Sequence, residues 1–160
     1  MSEDAGRPLP RFRGRRTVGW AESQAQGRHM GLISFSFRSA LVVEDQSFIR
    51  GVVVRMLRQL DFGVVIEAED GASGLNIALE RRPDVIVADI DMAPVDGLKF
   101  LQHLRANEPR DYHIPVIFLT NRTDKSTVLA ARDLGVDAFI AKPVTLTSLR
   151  EKLQIVMGRR

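Results

Sequence analysis

The chain has 160 residues, 44% hydrophobic and 27% charged, and contains no cysteine. This is the composition of a single globular domain; it excludes collagenous, largely disordered and disulfide-built proteins, as well as thiol nucleophiles and Cys-ligated zinc. The formal charge of +3 is unevenly placed: residues 1–38 carry seven Arg against Glu3, Asp4 and Glu22, whereas the remainder carries 16 basic and 17 acidic side chains and is nearly neutral.

The opening stretch is rich in Arg and punctuated by Gly and Pro (RPLPRFRGRR), with neither helical nor strand periodicity. Residues 1–38 therefore read as an N-terminal tail, flexible to about Gly31. Two roles stay open for it, a solvated extension or electrostatic contact with nucleic acid or another polyanion, and so does a translation start at Met30. Within it, residues 32–38 alternate apolar and polar side chains, the pattern of a short extra strand. The longest apolar runs have four residues, far short of the roughly 18 of a membrane span. The start Met1-Ser2-Glu3-Asp4 lacks the features of a signal peptide, so a cytoplasmic protein is expected.

From residue 39 to 160 short apolar runs alternate with amphipathic stretches, the signature of an α/β fold with a parallel sheet. Strands are predicted at Ala40–Val43, Val64–Ile66, Val85–Ala88, Val116–Leu119 and Ala138–Ala141, near-continuously apolar as in strands buried on both faces. Helices are predicted at Ser47–Leu60, Ala72–Arg81, Gly97–Arg105 and Lys125–Leu134, and a fifth is marked by Leu146, Leu149, Leu153 and Val156. Asp70-Gly71, Asp96-Gly97 and Thr123-Asp124 suit helix starts, and Gly135 suits a helix end.

Four of the strands end in polar residues: Glu44-Asp45, Asp89, Thr120 and Lys142. Parallel strands share one C-terminal edge, where open α/β sheets place their ligands, so three carboxylates, a hydroxyl and an amine are expected to converge. Carboxylates crowded together raise their pKa values or hold a cation, and oxygen ligands without His or Cys favour Mg²⁺, with Mn²⁺ as an alternative. Lys142 and Thr120 would suit an incoming phosphoryl group, and a carboxylate can itself be the nucleophile, with Asp89 on the middle segment as the acceptor. Singly, each residue has a plainer explanation; Asp45, for instance, could cap the helix at Ser47.

Taken together, Val42-Val43-Glu44-Asp45, the stretch from Pro83 through Asp89 to Gly97, Pro115–Thr120 and Phe139-Ile140-Ala141-Lys142-Pro143 resemble the receiver domain of two-component response regulators, the CheY-like family. The resemblance covers about residues 39–160. It implies a doubly wound five-stranded parallel sheet in the flavodoxin-like order 2-1-3-4-5 with five helices. It makes Asp89 the phosphoacceptor, with Mg²⁺ held by Glu44, Asp45, Asp89 and the main-chain carbonyl of Asp91. Lys142 would contact the phosphoryl group, with Thr120 and Phe139 as the switch pair. The donor would be a phosphohistidine on a sensor histidine kinase or a histidine phosphotransfer protein, and the output a changed binding preference of the face formed by the fourth helix, fifth strand and fifth helix. His29, His103 and His113 fall outside the strand ends and have no part in it.

Some positions depart from the family pattern. Ala93 stands where a proline is usual, with Pro94 one place later. Asn121 follows Thr120 where a small residue is usual, Phe139 replaces the common tyrosine, and Asp91 and Arg122 flank the site, where they are expected to pair across its mouth and slow an attacking water. With the chain ending at Arg160, the expectation is a stand-alone receiver whose only chemistry is its own phosphorylation and dephosphorylation, and which is not otherwise an enzyme. It would act on a downstream protein target, without membrane contact, and with phosphorylation-dependent homodimerisation left open; nucleic acid would be touched weakly, through the tail. Two alternatives are a phosphorylation-independent adaptor or polyanion binder acting through the Arg-rich tail, and a flavin or nucleotide binder. The second is disfavoured by the negative Glu44-Asp45 where a phosphate-cradling loop would stand.

Overall fold

The computed structural model describes residues 32–121 and 124–159. Five strands, β1 (Ser39–Val43), β2 (Val64–Ala68), β3 (Val85–Asp89), β4 (Val116–Thr120) and β5 (Ala138–Ala141), alternate with five helices. The helices are α1 (Ser47–Gln59), α2 (Gly71–Arg81), α3 (Gly97–Asn107), α4 (Lys125–Asp133) and α5 (Leu146–Met157). All strand pairings are parallel, in the order β2-β1-β3-β4-β5. The order reverses between β1 and β3, so the ends of these two neighbours form the crevice of a doubly wound sheet.

Strand alternation divides the apolar residues between two cores, one on each face of the sheet. Ala40, Val42, Val85, Val87, Ile117 and Leu119 pack with Val53 and Leu57 of α1 and Leu149 and Leu153 of α5. Leu41, Val43, Ile86, Ala88, Val116 and Phe118 face the opposite way, against Phe100, Leu101 and Leu104 of α3. Burial on both faces explains why these strands read as unbroken apolar runs. The predicted β2 stopped at Ile66, whereas the strand continues through Glu67 to Ala68. As the edge strand it can present Glu67 to solvent without leaving the ladder.

Helix starts follow the expected capping chemistry: Asp70, Asp96 and Asp124 each accept the main-chain N–H three residues on, from Ser73, Lys99 and Thr127. Thr123, predicted with Asp124, lies outside the described residues. Gly135 follows α4 at φ 82°, a left-handed conformation that glycine adopts without cost.

The short strand expected within residues 32–38 is absent. Those residues contain a turn at 36–37 instead, closed by Arg38 N–H donating to the Phe35 carbonyl at 2.8 Å. The alternation misled because only one ring faces inward: Phe35 is buried and stacks on Phe62 at 4.6 Å, while Phe37 is almost wholly exposed. The Phe35 carbonyl also accepts from Gly63 N–H, and Ile33 packs on the α1/α5 core, so the folded unit reaches back past the expected boundary at residue 39. The remainder of the predicted tail, 1–31, lies outside the described residues.

Candidate functional site

The ends of β1 and β3 place the acidic residues. β1 pairs with β3 through Val43 and Ala88, so the residues that follow, Glu44 just past β1 and Asp89 at the last position of β3, lie side by side. Glu44 and Asp89 are almost completely buried, and Asp45 is exposed. One carboxylate oxygen from each of Glu44, Asp45 and Asp89 lies within 4.8 Å of the others. Asp45 does not cap α1: the N-cap position belongs to Gln46, and no side chain caps that helix. The plainer explanation of Asp45 is thereby removed.

Lys142 enters from the end of β5. Its Nζ lies 3.2 Å from Asp89 Oδ1 and 3.3 Å from Glu44 Oε2, bridging the two buried acids. β5 is two strands away from β3, and the Lys142 N–H donates to the Thr120 carbonyl at 3.0 Å, which ties the base of that lysine to the end of β4. Thr120 itself is buried at that strand end. Phe139, two residues inside β5, is half-buried with its ring 6.3 Å from that of Phe118.

The site is electrostatically tense. Burial pushes the Asp89 carboxyl above its ordinary range, and the Lys142 ammonium and the Asp91 N–H only partly offset this. Glu44 is raised as well, first by burial and then by the Asp89 charge, against the pull of the Gln46 N–H and Lys142. Burial alone would lower Lys142, but the two carboxylates outweigh it and hold the ammonium above its usual value.

Asp89 Oδ1 accepts the Asp91 N–H at 3.2 Å and faces Lys142, whereas Oδ2 is buried with no hydrogen-bond partner among the described residues. A buried carboxylate oxygen left unpaired is costly. Next to two further carboxylates, its partner of choice is a hard cation. The donor set is all oxygen, with neither His nor Cys, so the residues present fit Mg²⁺ or Mn²⁺.

Two features of the site were not predicted. Gly97 N–H donates to the Ile90 carbonyl at 2.8 Å, and a Cβ there would fall 2.6 Å from the Asp89 carbonyl, so α3 starts in contact with the acceptor's own backbone. Arg50 of α1 reaches back to donate from Nη1 to the Glu44 carbonyl at 2.7 Å. Neither could be found from spacing, because both act on main-chain atoms. Of the flanking positions, Asp91 and Asn121 are exposed at the strand ends, and Arg122 lies outside the described residues. The peptide bonds Ala93-Pro94 and Lys142-Pro143 are cis. His103 and His113 are exposed and away from the acidic cluster, His113 contacting Asp137 at the start of β5, while His29 lies outside the described residues.

Fold and site together define a receiver of the CheY-like type, and the comparisons agree. Residues 40–154 match the response regulator receiver domain family. The chain is 34% identical to the chemotaxis protein CheY-3 of Vibrio cholerae, over 74% of this chain and 91% of that protein. It is 32% identical to the chemotaxis protein CheY of Pseudomonas aeruginosa, over 74% and 95%. The solved structure of V. cholerae CheY4 superposes with a TM-score of 0.69 at 28% identity, covering 75% of this chain and 98% of that one. This chain belongs to the response regulator receiver domain family and so to the proteins of two-component signalling. Among the described residues, no helix is long and apolar enough to cross a membrane.

Proposed function

We propose that the protein takes a phosphoryl group from a partner's phosphohistidine onto Asp89, with a divalent cation at the acidic cluster. The observation that carries this reading is the buried Asp89 carboxylate, with Oδ2 unpartnered among the described residues, Lys142 at 3.2 Å and two further acids beside it. Glu44, Asp45 and Asp89, with the main-chain carbonyl of Asp91, would hold Mg²⁺. When bound, that ion neutralises the crowded carboxylates and the charge of the phosphoryl oxygens.

In the transfer, a carboxylate oxygen of Asp89 forms a bond to phosphorus as the phosphorus–nitrogen bond of the donor breaks. The imidazole leaves as the neutral base after taking one proton. Lys142 swings its ammonium from the Asp89 carboxylate to a phosphoryl oxygen, and the Thr120 hydroxyl donates to another. Hydrolysis of the acyl phosphate returns inorganic phosphate and Asp89, so that phosphorylation and dephosphorylation of its own aspartate are the reactions the protein performs.

The downstream effect follows from Thr120. Drawn toward the phosphoryl group, it leaves room for the half-buried Phe139 ring to turn inward, and the surface of α4, β5 and α5 shifts to a second state that a target protein prefers. With Phe139 in place of a tyrosine, that contact makes no use of a ring hydroxyl.

Incubation with acetyl phosphate and Mg²⁺ tests the reading by intact mass. One phosphoryl adduct is expected, absent without Mg²⁺ and absent in Asp89→Asn. An adduct that persists in Asp89→Asn would overturn it.

A further inference from the structure

Apart from the residues that would touch cation or phosphoryl group, α1 contributes a side chain whose position has no explanation in the packing of the core. Arg50 is mostly buried, with 17% of its side chain exposed, and its guanidinium is divided between two partners. Nη1 donates to the Glu44 carbonyl at 2.7 Å, and Nε donates to Glu67 Oε2 at 3.3 Å. Glu44 is the residue at which β1 leaves the sheet. Its N–H still bonds Ala68 of β2, but the chain then turns toward α1, and the buried Glu44 carbonyl has left the strand ladder.

We infer that Arg50 is a positioning residue for the cation site. It fixes the main chain that carries Glu44 and Asp45, so that the two carboxylates stay converged on Asp89 against their mutual repulsion. The inference rests on the reading of the acidic cluster as a divalent-cation site. Three observations carry it. The bond is made to the backbone of the ligand residue and not to its carboxylate, so Arg50 does not compete with the ion. The guanidinium is steadied from the other side by Glu67 on the edge strand, which fixes the fork between α1 and β2. And the Glu44 carboxylate is separately oriented by the Gln46 N–H at 3.1 Å and by Lys142, so main chain and side chain of this residue are each held by their own donors. Groups that orient metal ligands without touching the ion commonly set affinity by about 10- to 100-fold.

The test compares the full chain with Arg50→Met, which keeps the apolar stem without donors, and Arg50→Lys, which keeps the charge and a single donor head. Mg²⁺ affinity is measured by calorimetry, with Mn²⁺ binding by electron paramagnetic resonance as a second readout. Both are run below the melting temperature of each metal-free variant. Arg50→Met is expected to bind Mg²⁺ about tenfold more weakly at unchanged stoichiometry, and Arg50→Lys to recover part of the loss. Labelling by acetyl phosphate should need more Mg²⁺ for half-maximal rate in Arg50→Met yet approach the unaltered maximum at saturation. Unchanged Mg²⁺ affinity in Arg50→Met overturns the inference. The unaltered chain reports separately on the underlying reading: if it takes up no Mg²⁺, the cation site itself fails and the role of Arg50 with it.

Discussion

Asp89 shows how a functional residue works against the fold that holds it. It sits in a core of β3 residues that are otherwise apolar, and burial raises its pKa above that of the unfolded chain. The native state therefore holds this proton more tightly than the unfolded state. The group's contribution favours folding below the ordinary carboxylate range and is lost as pH rises through its elevated native pKa. Glu44 is raised for the same first reason and acts in the same direction. Replacing the charge with a neutral amide of the same shape should accordingly stabilise the protein at pH 7, by roughly 0.5–2 kcal/mol. Urea unfolding of Asp89→Asn and the unaltered chain should show this gain at neutral pH and show it shrinking in acid. A variant less stable than the unaltered chain at pH 7 would contradict the electrostatic account. The residue scale also marks what the sequence could not reveal. Glu44, Asp45, Asp89, Thr120 and Lys142 were legible because each lies at or just past the end of a strand, and parallel strands bring their ends together. Arg50 was not, because its partners are a carbonyl six residues back and a carboxylate on another strand.

Among the elements, the strands and helices were legible because burial on both faces leaves short unbroken apolar runs and because Asp caps mark three helix starts. The lead-in to β1 was misread for a physical reason. Period-two alternation is the mark of a strand only if the chain is extended, and the turn at 36–37 sends Phe35 inward and Phe37 outward. This turn makes Phe35 part of the core, stacked on Phe62 in the α1–β2 connection. Phe35→Ala should thus cost about 3–5 kcal/mol, the loss typical of an aromatic core residue; a loss no larger than that of Phe37→Ala in the same denaturant titration would contradict this placement. The start of α3 makes a second prediction. A Cβ at Gly97 would meet the Asp89 carbonyl at 2.6 Å and Ile90 Cα at 2.7 Å, both backbone atoms that cannot swing aside. Gly97→Ala should destabilise by roughly 1–3 kcal/mol and also slow labelling of Asp89, since the loop carrying the acceptor must move. Wild-type stability together with wild-type labelling would show that the contact is relieved at no cost.

For the molecule as a whole, the reversal of strand order between β1 and β3 is what brings the site into being. It sets the end of β1, with two acids, beside the end of β3, with a third, and β4 and β5 follow in sequence to deliver Thr120 and Lys142. The positive excess of the chain belongs to residues 1–38, and residues 39–160 are nearly neutral. Asp89, and not its exposed neighbours, is the acceptor of the phosphoryl group in this reading. Borohydride reduces an aspartyl phosphate to homoserine, so peptide mass spectrometry after reaction with acetyl phosphate and Mg²⁺ reads the acceptor position directly. Homoserine is expected at position 89 alone. Homoserine at Asp45 or Asp91, with position 89 unmodified, would contradict it.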